Sequence, residues 1–436
     1  MQTKQDSKTL VWFTTNLRTQ DNTVLNKALA QKKPVIAIYC FDPRQYALGK
    51  YGFKKTEKYR AKFTIESVLD LEKQLKTLNI PLLVYHDLPE TIIPQVCKKH
   101  EVDALYYQKE FTHEELQIIQ ALKANLDQSV ATFDYLDQFL YHPNTVLDNF
   151  KSIPNVFTNF RKIVEKKCRV QPLQSPTKQT PFPFNADTQI PRLATLGFSN
   201  FETHPKSAFP FLGGETEASK RLNAYVFESK KIEVYKKTRN GLLGVDYSSK
   251  FSAWLANGCI SARQIYWAVK NFEKLHLKNQ STYWLIFELI WRDFFKYIAL
   301  QHGSDIFKLA GITKQEYTWK THAYAIKQWC AGTTAEPFVN ANMIELNKTG
   351  WMSNRGRQNV ASYFAKTQAL DWRIGAAYFE SLLIDYDVHS NYGNWLYVAG
   401  VGNDPRNRTF NVKLQADRYD SHGKFQKTWL QNILFE

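Results

Sequence analysis

The sequence has 436 residues, 44% of them hydrophobic, so the chain can bury a full core and is long enough for two or three domains. Its formal charge of +16 favours nucleic acid as a partner, because clustered Lys and Arg release counterions from a phosphate backbone; a scattered, solvated surface is the alternative. Five widely spaced cysteines without C-x-x-C spacing indicate reduced thiols rather than a disulfide framework. No run of about 18 apolar residues and no apolar leader occurs. We therefore expect a cytoplasmic protein without a membrane span, and leave nuclear or organellar import open.

The first 135 residues alternate short β-branched runs with amphipathic helical patterns, which is typical of βαβ units. The predicted strands are 10–13, 34–40, 81–85, 104–107 and 130–133, and the predicted helices are 22–30, 58–78, 88–99 and 113–126. Together they predict a doubly wound, Rossmann-like parallel-sheet domain over residues 8–135, with ligands expected after Phe13 and Tyr107 at the carboxyl ends of strands. No G-x-G-x-x-G or P-loop motif is present, which disfavours a conventional dinucleotide or NTPase domain.

The rest of the chain divides into a connector and a helical part. Residues 136–210 are rich in Pro, Gln, Ser and Thr and predict a connector with little regular structure. From 211 to 436 the periodicity becomes helical, with helices predicted at 215–227, 262–272, 283–300 and 376–383, so this part is predicted to be an all-α domain. Ten of the eleven tryptophans lie in this part of the chain.

Four segments of the helical part carry more polar and aromatic residues than a plain bundle needs. Residues 248–252 precede a predicted helix, where free N–H groups favour a phosphate, although an ordinary N-cap explains them as well. Glu288 and Arg292 share one helix face beside Trp291, either as a ligand site or as a surface salt bridge. Residues 350–359 form the densest hydrogen-bonding cluster, and the carboxylates of 385–395 supply its counter-charge. The single His389 near those acids gives no reason to expect a metal.

These segments resemble the FAD-binding domain of the photolyase/cryptochrome superfamily. The similarity rests on S-S-K-F-S at 248–252, E-L-I-W-R-D-F at 288–294, W-M-S-N-R-G-R-Q at 351–358 and D-Y-D-V-H-S-N-Y-G-N-W at 385–395. Within the superfamily, T-R-N-G-L-L-G at 238–244 and N-R-G-R-Q-N-V-A-S at 354–362 are similar to cryptochrome-DASH proteins. The lack of a long polar tail after Trp429 disfavours the signalling cryptochromes. The resemblance implies a blue-light-dependent, monomeric FAD protein that repairs cyclobutane pyrimidine dimers in DNA by electron transfer from excited reduced flavin.

The resemblance also implies roles for particular residues. The residues expected at FAD are Tyr235, Ser248, Ser249, Lys250, Phe251, Ser252, Trp291, Arg292, Asn354, Arg357, Asp385, Asp387 and Asn391. Of these, Tyr235 and 248–252 would hold the phosphates, Arg357 would pair with Asp385 beside the ring, and Asn391 would face flavin N5. Trp395, Trp372 and Trp319 align with the family's electron relay and, with Asn391 and Glu288, form the predicted catalytic set. Without the resemblance, each would be taken for a core tryptophan.

The expected DNA contacts are Arg239, Glu288, Trp291, Asn354, Gln358 and Tyr397. Gln358 and Tyr397 stand where the double-strand-specific pattern has Met and Trp, so the apolar grip on a flipped dimer is weaker and single-stranded DNA is the predicted substrate. RNA and undamaged DNA remain open as non-specific partners. The resemblance suggests methenyltetrahydrofolate as an antenna, with Glu110 as its contact. The alternative is that Glu110 is an exposed carboxylate at the start of a helix. Two other functions stay open: a blue-light receptor that signals through a partner protein, and a nucleic-acid-binding protein without catalysis.

Overall fold

The computed structural model describes residues 7–404 and 406–431. Five parallel strands form one sheet in the order β3-β2-β1-β4-β5: β1 (Lys8–Phe13), β2 (Val35–Cys40), β3 (Leu82–Tyr85), β4 (Val102–Gln108) and β5 (Ala131–Tyr135). The helices among them are α1 (Thr23–Leu29), α2 (Lys58–Thr77), α3 (Pro89–Lys99) and α4 (His113–Asn125). The predicted parallel-sheet domain is confirmed, and each predicted element is present within a few residues of its expected ends.

Alternate residues of the central strand β1 enter two separate cores. Leu10 and Trp12 pack in the core that holds Ile93 of α3, whereas Val11 and Phe13 pack in the core that holds α1 and α2. A strand that is covered on both faces needs apolar residues throughout, which is why residues 10–13 of β1 form a continuous hydrophobic run.

The expected connector is partly helical. It contains α5 (Pro143–Leu147) and α6 (Phe157–Lys167), so the prediction of little regular structure is wrong for these residues. In α6, Phe157, Phe160 and Val164 are buried at helical spacing. Residues 168–192 do lack regular structure, and there Gln179 donates to and accepts from the backbone of Val35 at the start of β2. The domain boundaries at 8–135, 136–210 and 211–436 remain a prediction.

The part of the chain from α7 onward is helical. Its helices are α7 (Glu215–Asn223), α8 (Tyr235–Thr238), α9 (Ser252–Ala256), α10 (Ala262–Leu275), α11 (Gln280–His302), α12 (Ala323–Ala331), α13 (Pro337–Thr349), α14 (Asn354–Ser362), α15 (Trp372–Leu382), α16 (Val388–Ala399), α17 (Val412–Tyr419) and α18 (Lys424–Leu430). A π-helical turn extends α7 (Ala224–Glu228) and another extends α14 (Tyr363–Thr367). Among the residues that the structure describes, this part contributes helices and no named strand, as the all-α prediction requires.

A buried ion network joins the sheet domain to the helical part. Arg263 of α10 donates to Asp21 at 2.9 Å and to Asp137 at 2.8 Å, and Arg18 donates to Asp137 at 2.8 Å. The side chains of all four residues are at most 5% exposed. Removing one partner from such a network leaves an uncompensated buried charge, which typically destabilises a fold by about 3–5 kcal/mol. The network therefore fixes the segments that follow β1 and β5 against α10.

Candidate flavin site

Two adjoining cavities of about 570 and 1100 Å³ lie between α9, α11, α14 and the start of α16. The residues that line both cavities are Asn354, Arg357, Asp385, Asp387 and Ser390. Together we call the two cavities the flavin cavity. They bring together all four polar segments that the sequence analysis singled out. Of the residues expected at FAD, Trp291 is the one that does not line either cavity.

The phosphate segment 248–252 is held in place by an arginine that sequence analysis missed. Buried Arg221 of α7 donates to the carbonyl oxygens of Ser249 at 3.1 Å and Ser248 at 3.2 Å, and to the Asp246 carboxylate at 2.8 Å. The helix that follows, α9, has five residues, so a long helix dipole does not contribute here. Hydroxyl and backbone N–H donors are what this segment offers to an anion.

Lys250 departs from the simplest interpretation of that segment. Its side chain is buried, and its Nζ lies 3.3 Å from the centroid of the Tyr247 ring and 4.7 Å from that of Trp351. Burial lowers the pKa of Lys250 well below its ordinary value, and burial raises the pKa of nearby Glu345 to about 8. Lys250 therefore contacts two aromatic rings as well as lining the cavity, and its buried Nζ is not a solvated phosphate ligand.

Arg357 and Asp385 form an ion pair where the two cavities meet. Arg357 Nη2 lies 2.9 and 3.0 Å from the two carboxylate oxygens of Asp385, and Arg357 Nε donates to the Met352 carbonyl at 2.9 Å. The Asp385 side chain is 3% exposed, whereas that of Arg357 is 24% exposed. The pair that sequence analysis expected is thus present in this position, with the guanidinium accessible to a ligand.

Asn391 and Trp395 lie one turn apart on α16 and both line the smaller cavity. Asn391 Nδ2 donates to the Ala376 carbonyl at 3.1 Å, which leaves a second amide hydrogen for a ligand. The Trp395 indole packs against the backbone of α15 at Gly375, where a β-carbon would lie 2.3 Å from Trp395 Cη2. Gly375 is thus required for the position of this ring, and sequence analysis gave it no role.

The three tryptophans of the predicted relay differ in burial. Trp395 and Trp372 are buried, whereas Trp319 is half-buried. Trp372 begins α15, and its Nε1 donates to the Leu309 carbonyl at 3.1 Å. Next to Trp319, Lys320 exchanges backbone hydrogen bonds with residues 369 and 371, which places Trp319 near the start of α15. This order from buried to exposed is the one that a relay needs.

Glu288, Arg292 and Arg239 line the larger cavity, and their pairing decides against the salt bridge that was the alternative to a ligand site. Glu288 accepts a short hydrogen bond from Arg239, while Arg292 donates to the carbonyls of Gln138 at 2.7 Å and Leu255 at 3.2 Å. The surface salt bridge between Glu288 and Arg292 that helical spacing allowed is therefore absent. Burial raises the pKa of Glu288, and the Arg239 charge opposes that shift.

The expected DNA contacts fall into two groups. Gln358 and Asn354 line the smaller cavity, where Gln358 Oε1 accepts from Arg355 at 2.8 Å. Trp291 and Tyr397 instead contact each other edge to face at 6.1 Å between ring centroids, outside both cavities. Trp291 also stacks on Phe157 of α6 at 3.7 Å, so one face of the candidate stacking wall is already covered.

A third cavity of about 1450 Å³ lies at the carboxyl edge of the sheet; we call it the sheet-edge cavity. It includes Phe13 and Gln108 at the ends of β1 and β4, as the strand order predicts. Glu110 also lines it and accepts from Gln108 at 2.8 Å and from Thr15 at 3.2 Å. Burial raises the pKa of Glu110 to about 7. Glu110 is thus half-buried and precedes α4, and the alternative of an exposed carboxylate at a helix start is wrong.

Unpaired polar groups show that the flavin cavity suits a polar cofactor. Lys250 Nζ, Arg292 Nε and Trp395 Nε1 are buried and have no hydrogen-bond partner among the described residues, and all three residues line the cavity. A buried donor without a partner is unfavourable, and a ligand with acceptor atoms would stabilise each of these donors that it reaches. Hydroxyls at one end and the Arg357–Asp385 pair at the junction fit the phosphates and the ring of FAD.

Family comparisons agree with this geometry. Residues 284–434 match the model of the FAD binding domain of DNA photolyase, and residues 9–181 match the model of DNA photolyase. A cryptochrome DASH of Gloeobacter violaceus is 46% identical, over 97% of this chain and 85% of that protein. A cryptochrome DASH of Danio rerio is 43% identical, over 98% of this chain and 84% of that protein. The chain belongs to the photolyase/cryptochrome superfamily, in its cryptochrome-DASH branch.

Solved structures agree with the superfamily. The crystal structure of a Synechocystis cryptochrome is similar with a TM-score of 0.94 and 41% identity, over 99% of this chain and 90% of that chain. An archaeal photolyase from Sulfolobus tokodaii, solved with two FAD molecules, has a TM-score of 0.79 and 26% identity, over 98% of this chain and 91% of that chain.

The part of the chain that the structure describes contains neither a helix suited to span a membrane nor a cluster suited to bind a metal ion. None of the described helices combines the length and apolar character that crossing a membrane requires. Over the same residues, no group of three or more His, Cys, Asp and Glu side chains could hold a metal ion.

Proposed function

We propose that this protein is a blue-light-dependent FAD enzyme that repairs cyclobutane pyrimidine dimers, preferentially in single-stranded DNA. The observation that supports it best is that one cavity of about 570 Å³ is lined both by residues expected at the flavin ring, Arg357 and Asn391, and by residues expected at the dimer, Asn354 and Gln358. Substrate and cofactor would then be in contact, as electron transfer between them requires.

Bound reduced FAD would supply, after excitation by blue light, the electron that splits the cyclobutane ring and that returns when the ring has opened. The protein's share is to bind, orient and exclude water. Asn354 and Gln358 offer amide donors and acceptors to the base edges, and Glu288 offers an acceptor held by Arg239. Trp395, Trp372 and Trp319 would carry electrons from the surface to the flavin.

The preference for single strands follows from the polar character of the dimer pocket. Gln358 lines the smaller cavity and is held by Arg355, whereas Tyr397 lies outside it and its hydroxyl accepts from Arg408 at 3.2 Å. Each apolar or stacking contact that is missing lowers the binding of a flipped dimer by about 1–3 kcal/mol, by comparison with base–aromatic stacking. Extraction from a duplex costs a few kcal/mol, whereas a single strand imposes little of that penalty.

The sheet-edge cavity is our proposed antenna site, with methenyltetrahydrofolate as the pigment and Glu110 as one contact. Its position at the carboxyl edge of the sheet and its half-buried carboxylate support this assignment. A cytoplasmic, monomeric protein is our working assumption; the similar protein of Solanum lycopersicum is named chloroplastic/mitochondrial.

The test is light-driven repair of a thymine-dimer oligonucleotide by the photoreduced protein, with Asn391→Ala as the variant. We expect Asn391→Ala to lose most repair activity while DNA binding is retained. Asn125→Ala, an exposed asparagine at the end of α4, is the matched control and should repair like the parent protein. Full repair by Asn391→Ala would contradict the assignment of that residue. Absence of repair by a parent protein that holds reduced FAD would favour the receptor function instead.

A further inference from the structure

A buried group of three titratable side chains separates the flavin cavity from the sheet-edge cavity. Lys296 Nζ, on α11, lies 3.1 Å from Asp387 Oδ2 and 2.9 Å from His389 Nδ1. The Lys296 side chain is 3% exposed and that of His389 is 2% exposed. We call these three residues the Lys–Asp–His cluster. No family motif used above assigns a role to Lys296 or to His389.

The contact between Lys296 and His389 relates their protonation states. When Lys296 is an ammonium group it only donates, so His389 Nδ1 accepts and the proton of the neutral ring is on Nε2. The distance of 3.8 Å between His389 Nδ1 and Asp387 Oδ1 is too long for a hydrogen bond. Burial and the Lys296 charge lower the pKa of His389 to about 4, which agrees with a neutral ring. The histidine thus orients the ammonium, and the ammonium faces the carboxylate.

Lys296 is what keeps the Asp387 carboxylate ionised. Burial alone would raise the pKa of Asp387, but the Lys296 charge holds it well below its ordinary value, with a smaller contribution from Arg292. Lys296 has its own pKa lowered by burial, with Asp387 and Glu110 acting in the opposite direction. Because these groups are desolvated, their mutual attraction is stronger than that of an exposed pair.

Asp387 is positioned so that its negative charge acts on a flavin in the cavity. It lines both parts of the flavin cavity and also the sheet-edge cavity. Its Oδ1 accepts from Ser390 N at 2.8 Å and so caps α16, the helix that carries Asn391 and Trp395. We propose that Lys296 and His389 are positioning residues that keep Asp387 ionised and oriented at the polar edge of the flavin; this inference rests on the FAD site proposed above.

The first test uses the protein without FAD and measures its melting temperature against pH in the parent protein, Lys296→Met and the double variant Lys296→Met/Asp387→Asn. In Lys296→Met, Asp387 is buried without its cation, so its folded pKa lies above its unfolded one. Stability is then lost as pH rises from about 4 through neutrality. The double variant has no carboxylate to ionise and should not show this loss, while asparagine still caps α16. A Lys296→Met profile parallel to that of the parent protein would overturn the proposal.

The second test measures the flavin itself. In Lys296→Met, FAD affinity and the flavin midpoint potential should acquire a pH dependence near neutrality, with FAD affinity changing about tenfold between pH 6 and pH 8. Lys296→Arg keeps the charge and should restore the parent behaviour. His389→Phe, which can still pack on Phe111, should shift both quantities less but in the same direction. Lys270→Met, which removes a lysine from the surface of α10, is the control.

The two tests separate this inference from the function it rests on. If the parent protein does not bind FAD, the proposed function fails, yet the melting profiles still decide whether Lys296 holds Asp387 ionised. If FAD binds and the potential of Lys296→Met follows that of the parent protein at every pH, the positioning role is wrong although the FAD site stands.

Discussion

Replacing Gly375 with alanine should disturb the Trp395 indole without unfolding the protein. The new β-carbon would lie 2.3 Å from Trp395 Cη2 and 2.9 Å from its Cζ2 and Cζ3, so the ring must move. Overpacking of this kind costs about 1–3 kcal/mol. Alanine in the interior of α15 returns about 1 kcal/mol of helix propensity. The net loss is therefore about 0–2 kcal/mol, and most molecules stay folded while the ring is displaced.

The assay for Gly375→Ala is urea unfolding together with FAD photoreduction under blue light. We expect a small loss of unfolding free energy and a clear loss of photoreduction, because Trp395 both lines the flavin cavity and starts the proposed relay. The control compares Trp395→Phe with the double variant Trp395→Phe/Gly375→Ala. The smaller phenylalanine ring leaves room for the methyl group, so adding the alanine should leave the unfolding free energy unchanged or raise it. Unchanged unfolding and unchanged photoreduction in Gly375→Ala would refute the reasoning.

Three further predictions follow from other parts of the site. The double variant Gln358→Met/Tyr397→Trp should bind a dimer in duplex DNA about 5- to 150-fold more tightly, while its single-strand binding should change less. Fluorescence anisotropy with both substrates measures this, and an unchanged ratio of duplex to single-strand affinity would contradict it. Tyr419→Ala should weaken binding of a long single strand but not of a dinucleotide dimer, because the Tyr419 ring lies 4.6 Å from the guanidinium of Arg355, next to Gln358 of the smaller cavity. The control is Tyr324→Ala, at a tyrosine that is 66% exposed. Glu110→Gln should flatten the pH dependence of stability. Because the pKa of Glu110 is raised to about 7, the parent protein should lose stability relative to the variant as pH rises from about 4.5 to 7, and thermal melts at several pH values measure this loss.

The sheet domain could be predicted because its signals are local. The central strand β1 is covered on both faces and apolar from Leu10 to Phe13, and β1 to β4 are each followed by a helix, so these elements could be predicted from hydrophobicity and helical periodicity. The helix Phe157–Lys167 could not be predicted in this way, because its apolar pattern is short. Its buried face is three residues long, Phe157, Phe160 and Val164, and the prolines around it indicate irregular structure.

The site residues could be named from motifs, but their partners could not. Spacing along a helix suggested that Glu288 pairs with Arg292, whereas the structure pairs it with Arg239, which is distant in sequence. Lys250 stands in a polar segment, yet it is buried against Tyr247 and Trp351. Arg221, Gly375 and Lys296 carry no local signal at all, because their roles depend on which helices pack together.

The account is tested most directly by light-dependent repair of one thymine-dimer oligonucleotide, measured side by side as a single strand and as a duplex with the photoreduced protein. We expect efficient repair of the single strand and little repair of the duplex, because the polar pocket around Gln358 does not repay the free energy of extracting a dimer from paired DNA. Equal repair of both substrates would contradict the reasoning about the pocket.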